Sequence, residues 1–132
     1  MAATYNNLYL DARKRLREAG VEGAQLEARE LVCCAAGKSR EQFYRDMALY
    51  ASDPVEEKLA ELLERRLAGE PVAYLIGEWE FYGLGLDITP DVLIPRMDTE
   101  VLAERAILLA RAAGEGARVL DLCAGRDRKS TR

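Results

Sequence analysis

The chain has 132 residues, 49% of them apolar and 32% charged, which is the balance of a folded globular protein rather than a disordered one, and no apolar run approaches the roughly 18 residues that a membrane span needs. It contains no histidine, which removes Ser-His and Cys-His triads, and its three cysteines, with Cys33 and Cys34 adjacent and Cys123 distant, supply neither a disulfide framework nor a metal site. The net charge of −4 divides unevenly, because residues 1–125 hold 15 Lys/Arg against 22 Asp/Glu, and a body this acidic is poorly suited to gripping nucleic acid through its phosphates.

The opening MAATYNNLYLDARKR lacks the charged start and apolar core of a secretory signal, so a cytoplasmic protein is expected. Thr4 is placed to cap a first helix in which Tyr5, Leu8, Ala12, Leu16 and Ala19 recur at steps of three and four, with Gly20 as its stop. Arg13, Lys14, Arg15 and Arg17 make its other side basic, either a solvated face or a surface for an acidic partner. A second helix carries Ala24, Ala28, Leu31 and Ala35 on one stripe, widened by Val32 and Cys33, and Gly37 ends it. Ser39-Arg40-Glu41-Gln42 reads as a capping box ahead of Phe43 and Tyr44 and opens a short third helix.

Asp53-Pro54-Val55-Glu56 is a further start signal, with Asp53 at the cap and Pro54 at the first helical position. Leu59, Leu62, Leu63 and Leu67 form the stripe of a fourth helix, closed by Gly69, and Pro71 opens one more turn over VAYLI, stopped by Gly77. Helices this short are marginal alone, so residues 1–76 are expected to pack as an antiparallel helical bundle. Residues 77–97 then change period. Trp79 and Phe81 alternate with Glu78, Glu80 and Tyr82, the run breaks at Gly83 to Gly85, and Leu84, Leu86 and Ile88 alternate again, which predicts a β-hairpin.

The segment VLIPR that follows is apolar and then stiff, since Pro95 fixes its own φ and pushes Ile94 toward extended geometry, so Arg96 is expected on a rigid bridge. Asp98 or Thr99 caps a helix to Ala113, with Glu100 in its first turn and Leu102, Ala106, Leu109 and Ala113 facing inward. Arg118 to Gly125, RVLDLCAG, reads as a buried strand running into a small-residue loop, the way a parallel α/β domain opens. Residues 126–132 carry four Lys/Arg and no apolar member. Asp127–Arg132 look like a translated sequencing adapter, against the alternative of a natural basic tail, and take no part in the fold reasoning.

GEPVAYLIGEWEFYGLGLDI, then VLIPRMDTE, then RVLDLCAG together resemble the release factor glutamine methyltransferases, weakly through the bundle and strongly from Gly69 onward. Asp98-Thr99-Glu100 favours this branch over the sister enzymes that modify a ribosomal protein, which read Ser-Pro there. Two positions depart from the family pattern: Met97 stands where a second proline is usual and Ala124 where threonine is. The resemblance implies a mainly α amino-terminal bundle (1–76) with a hairpin and linker (77–97), followed over 98–125 by the truncated start of an α/β Rossmann-like methyltransferase domain.

It further implies S-adenosylmethionine as cofactor, held by Asp121, Leu122, Cys123, Ala124 and Gly125, and an active-site loop of Pro95, Arg96, Thr99 and Glu100, although Thr99 and Glu100 serve equally as helix-capping residues. Release factors are the implied protein substrate of a monomeric enzyme without metal, nucleic-acid or membrane partners. The Asn-Pro-Pro-Tyr motif that in the family accepts hydrogen bonds from the substrate amide does not occur in these 132 residues, so the chain itself is expected to be inactive. The alternative of a different class makes residues 1–95 a non-catalytic protein-binding adaptor.

Overall fold

The computed structural model of the chain describes residues 2–122. Among them it is mostly helical, with one two-stranded antiparallel sheet. The elements run α1 (Tyr5–Glu18), α2 (Ala24–Ala36), α3 (Arg40–Arg45), α4 (Asp53–Leu67), α5 (Val72–Ile76), β1 (Glu78–Phe81), β2 (Leu84–Asp87) and α6 (Met97–Ala113). They divide into two compact units, one ending at Ile76 and the other starting at Gly77.

The first unit is built on helix ends that the sequence satisfies locally. The Thr4 side chain accepts the Asn7 N–H at 3.1 Å, while the Tyr5 and Asn6 N–H groups donate to the carbonyls of Leu49 and Met47 at 3.0 and 2.9 Å, so the first three amides of α1 all find partners. At Ser39 the capping box is complete: its Oγ accepts the Gln42 N–H at 3.2 Å and Gln42 Oε1 accepts the Ser39 N–H at 2.9 Å. Gly20, Gly37 and Gly69 all take positive φ just past α1, α2 and α4. At each the pattern is complete: the Gly20, Gly37 and Gly69 N–H groups donate to the carbonyls of Arg17, Cys34 and Arg66, and those of Val21, Lys38 and Glu70 to Leu16, Cys33 and Arg65, the double closure that a left-handed residue makes possible.

Packing centres on α2, which touches α1, α3, α4 and α5. Ala28, Leu31 and Val32 have no exposed surface, and they meet Ala12 and Leu16 of α1, Leu59, Leu62 and Leu63 of α4, and Val72 and Ala73 of α5 as the buried set of this unit. Phe43 is buried from α3, its ring edge-on to Tyr9 at 5.8 Å. Leu67, expected on the α4 stripe, is exposed, and α4 is capped at Ser52 rather than Asp53, so that Asp53 and Pro54 both lie inside the first turn. The basic side of α1 is wet at Lys14, Arg15 and Arg17, and Arg13 lays its guanidinium over the Tyr9 ring at 5.5 Å.

Ion pairs at two carboxylates, Glu27 and Asp46, clasp this unit. Arg66 of α4 grips Glu27 of α2 with Nε and Nη2 at 2.9 and 3.3 Å, a two-point fit that only a guanidinium makes. Asp46 accepts Arg45 Nε at 3.0 Å and Lys38 Nζ at 2.8 Å, and the same Lys38 ammonium sits 5.1 Å above the Tyr5 ring.

The second unit departs further from expectation. The hairpin turns on Tyr82-Gly83, and Gly85 lies within β2 opposite Glu80 instead of belonging to the turn. α6 starts one residue early, with Arg96 as its cap and no side-chain bond there, so neither Asp98 nor Thr99 is the capping residue. No residue of α6 is buried, including Leu102, Ala106, Leu109 and Ala113 of its expected inward stripe, because no described element covers that face. Residues 118–122 form no strand and are exposed, since a parallel strand exists only when neighbouring strands pair with it. The expected loop residues Cys123, Ala124 and Gly125 and the tail 126–132 lie outside the described residues.

The Arg45 and Lys38 hydrogen bonds hold the Asp46 carboxyl down at about 2, below its ordinary 3.8. A depressed acid contributes stability above its unfolded value and loses it as pH falls toward the folded one. Asp46→Asn is therefore expected to lower the thermal midpoint at about pH 5, with the gap from the parent chain closing as pH approaches about 2, read by circular dichroism.

Candidate functional site

The expected active-site loop residues Pro95, Arg96, Thr99 and Glu100 lie along one continuous path from the hairpin turn to the start of α6. Trp79 pairs with Leu86 and Phe81 with Leu84, a register that leaves two residues for the connection. Both loop positions are left-handed, Tyr82 at φ 49° and Gly83 at φ 75°, the requirement of the tight turn whose twist matches that of the strands. Glycine meets it without strain, whereas Tyr82 is the non-glycine residue with positive φ among those described.

Beyond β2 the chain runs as an irregular bridge. The Ile88 N–H donates to the Gly77 carbonyl at 2.8 Å, closing the base of the hairpin, and Ile88 is buried. The Val92 N–H donates to Thr89 at 3.0 Å around the Pro90-Asp91 turn. Pro95 is half-buried and Arg96, extended at φ −97° and ψ 150°, is exposed. Thr99 and Glu100 are half-buried in the first turn of α6, where the Thr99 N–H donates to the Arg96 carbonyl at 3.0 Å. One contact joins the ends of the path: the Tyr82 N–H donates to Glu100 Oε1 at 2.7 Å across 18 residues. Sequence reasoning paired Glu100 with the amides of its own helix, and no local pattern marks the longer reach.

The four loop residues Pro95, Arg96, Thr99 and Glu100 are thus neighbours, and Asp121 and Leu122 stand apart as exposed, irregular backbone. S-adenosylmethionine needs a main-chain cradle at the end of a strand. Of the expected cofactor loop only Asp121 and Leu122 are among the described residues, and both are exposed. Cys33 is no reactive centre either: burial and then the nearby Glu30 carboxylate push its thiol up to about 11.

Residues 7–77 match the family model described as the PrmC N-terminal domain. The release factor glutamine methyltransferase of Haemophilus influenzae is 44% identical over 89 residues, covering 67% of this chain and 30% of the relative. That of Bordetella pertussis is 48% identical over 107 residues, covering 76% of this chain and 37% of the relative. That of Vibrio cholerae is 38% identical over 125 residues, 95% of this chain and 43% of the relative. The chain therefore spans less than half the length of these relatives.

The turn geometry yields a direct test. Gly83→Val forces a β-branched side chain into the left-handed region at a cost of about 1–2 kcal/mol and is expected to weaken the Trp79–Leu86 nuclear Overhauser contacts. Tyr82→Asn, which tolerates that region better, is expected to keep them or strengthen them.

Proposed function

The chain belongs to the PrmC N-terminal domain family, and on that premise we propose that it is the amino-terminal part of an S-adenosylmethionine-dependent enzyme that methylates a glutamine side chain of a peptide chain release factor. The reading is carried by similarity that does not stop at the family's matched segment: identity to the Vibrio cholerae release factor glutamine methyltransferase extends over 125 residues, and so takes in the hairpin, the Pro95-Arg96 bridge and α6. The same reading makes residues 98–125 the opening of an α/β methyltransferase domain, in the cytoplasm.

A glutamine amide nitrogen is a weak nucleophile because its lone pair is delocalised into the carbonyl. Transfer requires that nitrogen to be aligned with an electrophilic methyl and the amide proton to be lost as the bond forms. When bound, S-adenosylmethionine supplies that methyl on a sulfonium. This chain's share is to present and orient the protein substrate. The bundle leaves Tyr44, Leu49 and Tyr50 exposed, and the Pro95-Arg96 bridge holds a guanidinium out in solvent. Of the remaining site residues, we place Thr99 and Glu100 beside that bridge as its support, and Asp121 to Gly125 as the opening of the cofactor loop.

The chain alone is expected to show no heat of binding with S-adenosylmethionine and no methyl transfer. Substituted for the corresponding segment of the Vibrio cholerae relative, it is expected to yield a chimera that methylates a release factor and not a ribosomal protein. A folded chimera inactive on release factors, or micromolar cofactor binding by the isolated chain, overturns the reading.

A further inference from the structure

In a two-residue hairpin loop the first loop amide has no ladder partner and ordinarily faces water. In this hairpin that amide, the Tyr82 N–H, is taken by the Glu100 carboxylate at 2.7 Å, the short end of the range for a charge-assisted bond. Glu100 is the fourth residue of α6, one position beyond the site from which a glutamate folds back to cap its own helix, and the side chain of the cap residue Arg96 makes no capping bond. The carboxylate is thus free of local duty and committed to a distant one.

What it encloses is the bridge. Residues 83–99 form a loop that starts at a turn strained by one non-glycine residue, contains Pro90 and Pro95, and ends on the first turn of α6. Two prolines limit the bridge's internal freedom, and the hydrogen bond closes its ends. We infer that Glu100 is a positioning residue whose carboxylate latches the hairpin turn to the first turn of α6 and thereby fixes where the bridge holds Arg96. The latch is a property of this chain alone; its importance for Arg96 rests on the proposed function.

The test uses the full 132-residue chain, labelled with nitrogen-15. Glu100→Ala is expected to accelerate exchange of the Tyr82 amide about tenfold, the size of one lost charge-assisted hydrogen bond. The heteronuclear Overhauser effect at the Arg96 amide is expected to fall, while the amides of Leu31 and Leu62 exchange at parent rates. Glu100→Gln, which retains an acceptor oxygen, is expected to restore most of the Tyr82 protection. Unchanged Tyr82 exchange in Glu100→Ala overturns the inference, as does equal loss in both variants or acceleration spread equally through the bundle. No methyl transfer enters these readings, so a failed chimera leaves them standing.

Discussion

Burial of α2 is the constraint on which the rest depends. Its Ala28, Leu31 and Val32 are fully enclosed, and α1, α3, α4 and α5 all pack against it, so each of these four helices is stabilised by facing this one. Complete burial of a leucine or valine contributes about 1.5–3 kcal/mol, far above the few tenths that helix propensity supplies at any position. The alanines matter for the opposite reason. Ala12 and Ala28, both without exposed surface, let α1 and α2 approach closely where larger side chains would hold them apart. Polar clasps then work at the rim: the half-shielded Arg66–Glu27 fork links α2 to α4, whereas the exposed Arg65–Glu70 pair has the geometry but not the shielding to contribute much.

How far the fold can be read from the residues depends on where the deciding forces act. Thr4, the Ser39–Gln42 box and the glycines after α1, α2 and α4 act within one turn of the backbone, and all are found in the structure as their spacing predicts. The Asp53-Pro54 start came out one residue off because Ser52 and Asp53 are both good cap residues and local chemistry barely separates them. The hairpin's register required choosing between Gly83 and Gly85 as its corner, and the pairing of Glu80 with Gly85 decides it. Leu102 and Leu109 sit at helical spacing whether or not anything covers them; periodicity reports the capacity for burial, and the exposed α6 shows that capacity unused. The same holds for Val119, Leu120 and Leu122, apolar residues that become a strand only beside another strand.

The stiffness of the bridge can be read from its residues; the contact that closes it cannot. Pro95 and Arg96 announce a stiff bridge by composition alone, since a proline ring acts on its immediate neighbours. The hydrogen bond from Tyr82 to Glu100 joins residues 18 apart through a backbone amide, which carries no residue identity, so no pattern of side chains can signal it. Its effect is nonetheless sequence-specific: a glutamate four residues into a helix and a two-residue turn of fixed hand must coincide. The expected cofactor loop shows the converse. RVLDLCAG is recognisable as a sequence, while its described residues 118–122 are exposed and form no strand.

Among the described residues, stabilising burial resides in the α2-centred bundle and the apolar face of α6 is uncovered. The same substitution at two leucines tests it directly. Leu31 has no exposed surface and Leu102 is 68% exposed. In urea unfolding of the full chain, Leu31→Ala is predicted to cost about 2–5 kcal/mol and Leu102→Ala less than about 0.5 kcal/mol. Equal costs at the two positions, or a larger one at Leu102, would contradict it.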